Sequence, residues 1–118
     1  MAIVKDRQTY FINQDMNGLN GTFSKYLSIN DTDELRVVQV IYVGADADSV
    51  YRVAWHGLTD CLCLFDVQHQ SGNVNIRHNV HGKSIQGTQN FTIHNPDGTI
   101  KTDIAGKLGI VFEAIKYR

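Results

Sequence analysis

The stretch from Glu34 to Val43, Glu-Leu-Arg-Val-Val-Gln-Val-Ile-Tyr-Val, constrains the fold more than any other, because it holds the densest run of β-branched and aromatic residues in the chain. Strand alternation places Leu35, Val37, Gln39, Ile41 and Val43 on one face and Arg36, Val38, Val40 and Tyr42 on the other, so both faces are largely apolar. A strand of that kind is covered on both sides, and it is expected at the centre of the architecture. A helix here would need about three turns of residues whose side chains lose rotamer freedom against the preceding turn. Gly44 then ends the run.

The rest of the chain divides into short apolar or alternating runs separated by turn chemistry. Thr9 to Asn13 reads as a first strand, and Gly18-Leu-Asn-Gly21 as the turn into a second, Thr22 to Ile29, with Phe23, Lys25, Leu27 and Ile29 on its inner face. Asn30-Asp-Thr-Asp33 reads as a polar turn into the central strand, and Gly44 to Ser49 as a loop. Val50 to His56 then completes a hairpin running from Leu35 to His56. Cys61 to Val67 and Val74 to His78 form the next pair around Gln70-Ser-Gly-Asn73, and His78 to Gln89 is expected as a loop with at most a short strand. Asn95-Pro-Asp-Gly98 joins Phe91–His94 to Thr99–Ile104 in the clearest hairpin, since proline presets φ and glycine supplies a positive one. Lys107 to Tyr117 is the last strand, with Gly106 and Gly109 arguing against a helix there. Eight or nine such strands point to an all-β fold, an antiparallel β-sandwich, with a small barrel as the alternative.

At 118 residues the chain reads as one domain, residues 1–118, able to bury about two-thirds of its unfolded surface without a metal or disulfide staple. Eleven basic against 12 acidic residues give a net charge of −1, so no electrostatic footprint for a nucleic-acid backbone or an anionic membrane is present. Met1-Ala-Ile-Val-Lys-Asp-Arg lacks the apolar core of a signal peptide, and no run approaches the ~20 apolar residues that span a bilayer, so synthesis and folding in the cytoplasm are expected. Cys61 and Cys63, two apart on one strand, would have Cα atoms roughly 6.5–7 Å apart, at or beyond the reach of a relaxed bridge. They read as reduced, strand-lining thiols.

Catalytic constellations are missing from the sequence: there is no phosphate loop, nucleophile elbow or spaced carboxylate pair, so no enzymatic activity and no cofactor are expected. The histidines His56, His69, His78, His81 and His94 lack the spacing and partners of a metal site; His78 and His81 stand three apart, but in a polar stretch without helix or cysteines. Tyr51, Trp55 and His56 form the candidate ligand-binding group. Exposed, they would stack a sugar ring while the Asn/Gln-rich run from Gln68 to Asn95 supplied amide hydrogen bonds; the competing reading puts the single tryptophan in the core beside Val53 and Tyr51.

The order of Asn30-Asp-Thr-Asp33, a long apolar strand, a loop, Val50-Tyr-Arg-Val-Ala-Trp-His-Gly57, Asn95-Pro-Asp-Gly-Thr99 and Ala105-Gly-Lys-Leu-Gly-Ile-Val-Phe-Glu-Ala114 resembles the N-terminal β-sandwich of the upper baseplate protein (BppU) family of tailed phages. The resemblance covers most of the chain from Phe23 onward, while Cys-Leu-Cys and the histidine-rich stretch depart from it. It implies a module that attaches to the baseplate core, in a virion tail, with no catalytic residues; the helical stalk of longer members is absent or trimmed away after Arg118. The expected partners are therefore other phage tail proteins or further copies of the chain. The alternative is a lectin-like module that recognises a cell-surface saccharide.

Overall fold

The computed structural model describes residues 3–43, 50–56, 62–68, 72–102 and 104–118, with the side chains of 42, 50, 51, 62–68 and 72–74 outside the description. These residues form six strands and no helix: β1 (Val4–Asp15), β2 (Thr22–Val43), β3 (Val50–His56), β4 (Leu62–Gln68), β5 (Gly72–His94) and β6 (Lys107–Tyr117). All pairings are antiparallel, in the order β1-β6-β2-β5-β3-β4. The series is open, with β1 and β4 at its edges, which sets the barrel aside.

Two strands are too long to be straight. At about 3.4 Å per residue, the 22 residues of β2 would extend roughly 75 Å, yet the longest dimension of the molecule is 43 Å. β2 therefore bends, and its register shifts between Ile29 and Thr32 and again between Thr32 and Glu34. Opposite the bend, β5 passes through His81 (φ 54°) and Gly82 (φ 73°), left-handed conformations that turn the strand without ending it. Below the bend, residues 22–29 pair with 85–92; above it, 34–40 pair with 72–79. β6 joins only the upper half of β2, and β3 joins only the lower half of β5.

The bend brings the inner faces together. A chain of aromatic contacts runs Phe23–Phe91 (4.9 Å), Phe91–Trp55 (5.1 Å), Trp55–Phe112 (5.5 Å) and Phe112–Tyr10 (5.4 Å). Trp55 on β3 and Phe112 on β6 are separated by two strands in the ladder, so their contact requires the sheet to have folded over. Each such pair adds about 0.5–1.5 kcal/mol beyond area burial. Leu35, Val37, Ile85, Ile93 and Ile110 complete one continuous core around them.

Six strands among the described residues replace the eight or nine expected, because β2 and β5 each run through what the sequence divides in two and Thr99–Ile104 contributes an isolated bridge in place of a strand. Asn30–Asp33 is the bend within β2 and not a turn. Thr32 is buried there and its hydroxyl donates to the Ile115 carbonyl at 3.0 Å, while Asn30 and Asp31 stay exposed, so the one buried polar side chain of the bend is satisfied against β6. His78 to Gln89 is strand, not loop. Its side chains at 84, 86, 88 and 90 face solvent, so the stretch looks polar although Val80, Ile85 and Phe91 are buried. β2 and β3 do not form the expected hairpin, because β5 lies between them and pairs with both, nor do β4 and β5, because β3 lies between those two. The turn at Asn95–Gly98 is present, closed by Gly98 N–H to the Asn95 carbonyl (2.9 Å), but beyond it the described residues form a single bridge, Ile100 with His94, carried by Asn95 N–H to the Thr99 carbonyl (2.7 Å) and Lys101 N–H to the Ile93 carbonyl (2.8 Å). The arrangement of Cys61 and the side chain of Cys63 lie outside the described residues.

The bend is fastened to the end of β6. Asp33 accepts the Tyr117 N–H at 2.9 Å, and the Lys116 ammonium lies 3.4 Å from Asp33 and 2.9 Å from Asp31. The Tyr117 N–H above all holds the Asp33 carboxyl below the usual carboxylate range; burial opposes it, and the Lys116 charge and hydrogen bond add to the lowering. Because its folded pKa is depressed, the unfolded chain takes up the proton first on acidification. The stabilisation is complete above about pH 4 and is lost as pH falls through the lowered folded value. Asp33→Asn is expected to lower the melting temperature at neutral pH and to flatten the acid limb of the Tm–pH curve; an acid limb identical to the parent would contradict this.

The stretch 34–43 lies between β5 and β6, at the interior of the ladder as its composition predicts. Val40 is buried against the core, so Val40→Asp places an unpaired carboxylate there and should cost about 3 kcal/mol or more in urea melts. Val38 is half-buried at an irregularity in β2, and Val38→Asp should cost less.

Candidate functional site

That irregularity changes which residues face outward. Between Val37 and Gln39 the pairing of β2 with both neighbours slips by one residue at Val38. Leu35 and Val37 point inward, the extra residue reverses the alternation, and Val40 becomes the next inward side chain. Ile41 (40% exposed) and Val43 (66%) are thereby turned to solvent, although simple alternation groups them with Leu35 and Val37.

They join an outer face shared by β1, β6 and β2. Cross-strand rows read Phe11, Val111 and Gln39; then Asn13, Gly109 and Ile41; then Asp15, Lys107 and Val43. Phe11 stands 68% exposed. In the next row Gly109 contributes no side chain, and a groove of about 360 Å³ opens there, walled by Asn13, Asp15, Ile41, Val43 and Lys107. A Cβ placed on Gly109 would lie 3.5 Å from Asn13 Oδ1 and 3.6 Å from Ile41 Cβ, so the floor is set by the glycine. Toward the other end the face becomes ionic: Glu113 meets Arg7 at 3.8 Å and Arg36 at 3.5 Å. Exposed apolar side chains beside a groove on one face are the chemistry of a protein-docking surface.

Of the three candidate residues read from the sequence, Trp55 is 1% exposed and its Nε1–H donates to Gln89 Oε1 at 3.1 Å. It fills the core and offers no ring face to a sugar. The side chain of Tyr51 lies outside the described residues. His56 is half-buried in a hydrogen-bonded chain: its Nε2 is 2.6 Å from Thr92 Oγ1, which is 2.6 Å from His94 Nε2, while His94 Nδ1 is 3.0 Å from the Gly98 carbonyl. A carbonyl can only accept, so His94 Nδ1 donates; in a neutral ring its Nε2 then accepts from the Thr92 hydroxyl, whose oxygen is left to accept from His56. The chain ties β3 to β5 and to the Asn95–Gly98 turn. His81 is exposed at the bend and its N–H donates to Asn79 Oδ1 at 3.0 Å.

The opposite outer face carries a different surface. Tyr26 is 74% exposed on β2, with Ser24 and Ser28 on either side and Gln86, Thr88 and Asn90 across the ladder. Ser24 Oγ bonds Asn90 Oδ1 and Ser28 Oγ bonds Gln86 Oε1, both at 2.7 Å. Alternation puts Tyr26 with Ser24 and Ser28 on the face opposite Phe23, Leu27 and Ile29, but no binding role was assigned to it from the sequence. The period-two position it shares with Ser24 and Ser28 is the signal that could have found it.

No family model matches the chain, and no curated protein does. Among solved structures it is similar to the Drosophila NLP-core, a structure described in terms of pentamer formation and histone binding, with a TM-score of 0.50 and 12% identity over 94% of this chain and 98% of that one. That is a likeness of fold. A structure described as CBM4 superposes with a TM-score of 0.42 and 12% identity, over 98% of this chain and 78% of that one. The virus-like particle protein of the extra small virus of the giant freshwater prawn superposes at 0.31 with 9% identity, over 92% and 77%.

With Trp55 enclosed, acrylamide should quench the native emission only weakly and strongly after unfolding in urea. Strong quenching of the native protein would place the indole at the surface and reopen the stacking role.

Proposed function

We propose that this domain is a structural assembly module that works by docking onto other protein subunits through the outer face of β1, β6 and β2. The observation that carries the reading is the groove floored by Gly109, with Ile41 and Val43 turned outward beside it and Phe11 standing proud in the next row. Leaving these side chains in water has a cost that a partner would remove, at about 25 cal/mol for each Å² of apolar surface covered. A stable attachment needs roughly 1,000 Å² or more, so the partner would cover the face beyond the groove itself.

The setting we propose is a phage tail baseplate or host-adhesion device, on the strength of the strand-and-turn resemblance to upper baseplate proteins. We further read the folded-over sheet as a two-layer sandwich, with the upper halves of β2 and β5 beside β6 and β1, and their lower halves beside β3 and β4. The fold shared with the Drosophila NLP-core supports assembly as a use of this architecture, given that protein's association with pentamer formation. Fold likeness alone assigns no function.

A second reading, saccharide recognition, is favoured by one observation: Tyr26 lies exposed within a strip of hydroxyls and amides. This moves the sugar-binding alternative from Trp55 to the opposite outer face.

The test compares the parent with an Ile41→Glu/Val43→Glu variant by light scattering and by co-purification with tail proteins. Association by the parent and its loss in a variant with unchanged circular dichroism is the expected result. A parent that stays monomeric, ignores every tail protein and binds a defined saccharide, with binding abolished by Tyr26→Ala, would replace the assembly reading with the second.

A further inference from the structure

β1 is hydrogen-bonded on one side only. It pairs with β6 and ends the ladder, so along its 12 residues every second peptide group points into solvent. Which groups these are follows from the next residue along the chain: Met16 N–H donates to the Gly106 carbonyl at 2.8 Å, continuing the register that pairs Asp15 with Lys107 and Ile12 with Ile110. In an antiparallel ladder such pairs alternate, so beyond the register shift between Val4 and Asp6 the even-numbered residues bond β6. Arg7, Thr9, Phe11, Asn13 and Asp15 therefore direct both N–H and C=O away from it. Their side chains lie on the same outer face as the Gly109 groove.

This edge is complementary to itself. Antiparallel pairing with a second β1 can satisfy the outward groups only when odd residues face odd residues. Among those registers, the one centred on Phe11 places Phe11 opposite Phe11, Thr9 opposite Asn13, and Arg7 opposite Asp15 on both sides of the two-fold. It gives the exposed Phe11 ring an aromatic neighbour and sets Arg7, which lies 3.8 Å from Glu113 of its own chain, beside a second carboxylate, that of Asp15, which already accepts from Asn17. Moving the register by two residues sets Phe11 against Thr9 or Asn13 and loses the Arg7–Asp15 pairing. Charged residues commonly guard free edges, and Lys5, Asp6 and Arg7 do crowd the first part of β1. In the register centred on Phe11, however, Arg7 meets an opposite charge and the strand from Gln8 to Gln14 is uncharged.

We infer that the free edge of β1 is a homodimer interface, in which two copies of this chain pair β1 against β1 about a two-fold axis at Phe11 to make one continuous sheet. The inference rests on the assembly reading and narrows it to one partner, a second copy. The interface is isologous and forms roughly ten backbone hydrogen bonds, with the two Phe11 rings at its centre.

The ladder supplies a selective test. Proline at an outward-facing position removes an N–H that bonds nothing within the chain, so Thr9→Pro blocks the edge while leaving the bonds to β6 in place. Phe11→Lys is a second variant, placing like charges across the axis at an exposed position. Light scattering over a concentration series should show a dimer for the parent. Both variants should be monomeric, or dimerise roughly tenfold or more weakly, with native circular dichroism. If Thr9→Pro loses its native spectrum, Phe11→Lys decides. A monomeric parent overturns the edge pairing without touching the assembly reading, which the Ile41/Val43 variant tests against tail proteins. A dimer that persists in folded Thr9→Pro or Phe11→Lys, and is broken by Ile41→Glu/Val43→Glu, also overturns the edge and assigns the contact to the groove.

Discussion

Everything in this fold depends on β2 and β5 bending together without ceasing to be strands. If the pair ran straight it would be a ribbon exposing both apolar faces; folded at Thr32 and Gly82, it brings the rings of Trp55 and Phe112 within 5.5 Å. The cost of the bend is met locally. A left-handed glycine lets β5 turn, and the Thr32 hydroxyl satisfies a buried carbonyl. Asp31 and Asp33 hold Lys116 and the Tyr117 N–H, so the end of β6 is fastened to the corner it covers. A Cβ on Gly82 would lie 3.3 Å from Asp31 Oδ1, which couples the glycine to the same cluster.

How much of this could be read from the residues follows from how local each cause is. The interior position of Glu34–Val43 in the ladder was legible from its β-branched content, but the cover expected on both of its faces is present on one only, since Ile41 and Val43 face solvent. The Asn95–Gly98 turn was legible because its chemistry is contained in four residues. Thr22 to Ile29 and Glu34 to Val43 were each recognised as strands, but their continuity was hidden by Asn30–Asp33, whose polarity matches a turn and whose partners lie more than 80 residues away. The second half of β5 was hidden for a related reason: Gln89, an inward-leaning polar side chain, serves there to satisfy the buried Trp55 indole.

The candidate site was less legible than the fold, and one residue accounts for much of that. Nothing in Arg36-Val-Val-Gln-Val40 marks Val38 as the extra residue of an irregular pairing, since valine fits either face. Yet that slip decides whether Ile41 and Val43 are core or surface. The outer face of β1, β6 and β2 exists as an apolar surface only because the alternation reverses there. Lys107–Tyr117, the last strand of the chain, is not at an edge: β6 is flanked by β1 and β2, and the strand that contains Thr9–Asn13 ends the ladder.

The outer face and the β1 edge belong to the same strand, so both follow from where the ladder ends. Residue-resolved amide hydrogen exchange on the isolated chain, compared at dilute and high concentration, reads this most directly. The account predicts that the amides of Arg7, Thr9, Phe11 and Asn13 exchange fast when dilute and gain protection on association, while those of Gln8, Tyr10 and Ile12 are protected throughout by β6. Protection gained instead around Tyr26, or an unchanged exchange pattern in β1 at concentrations where the chain associates, would contradict it.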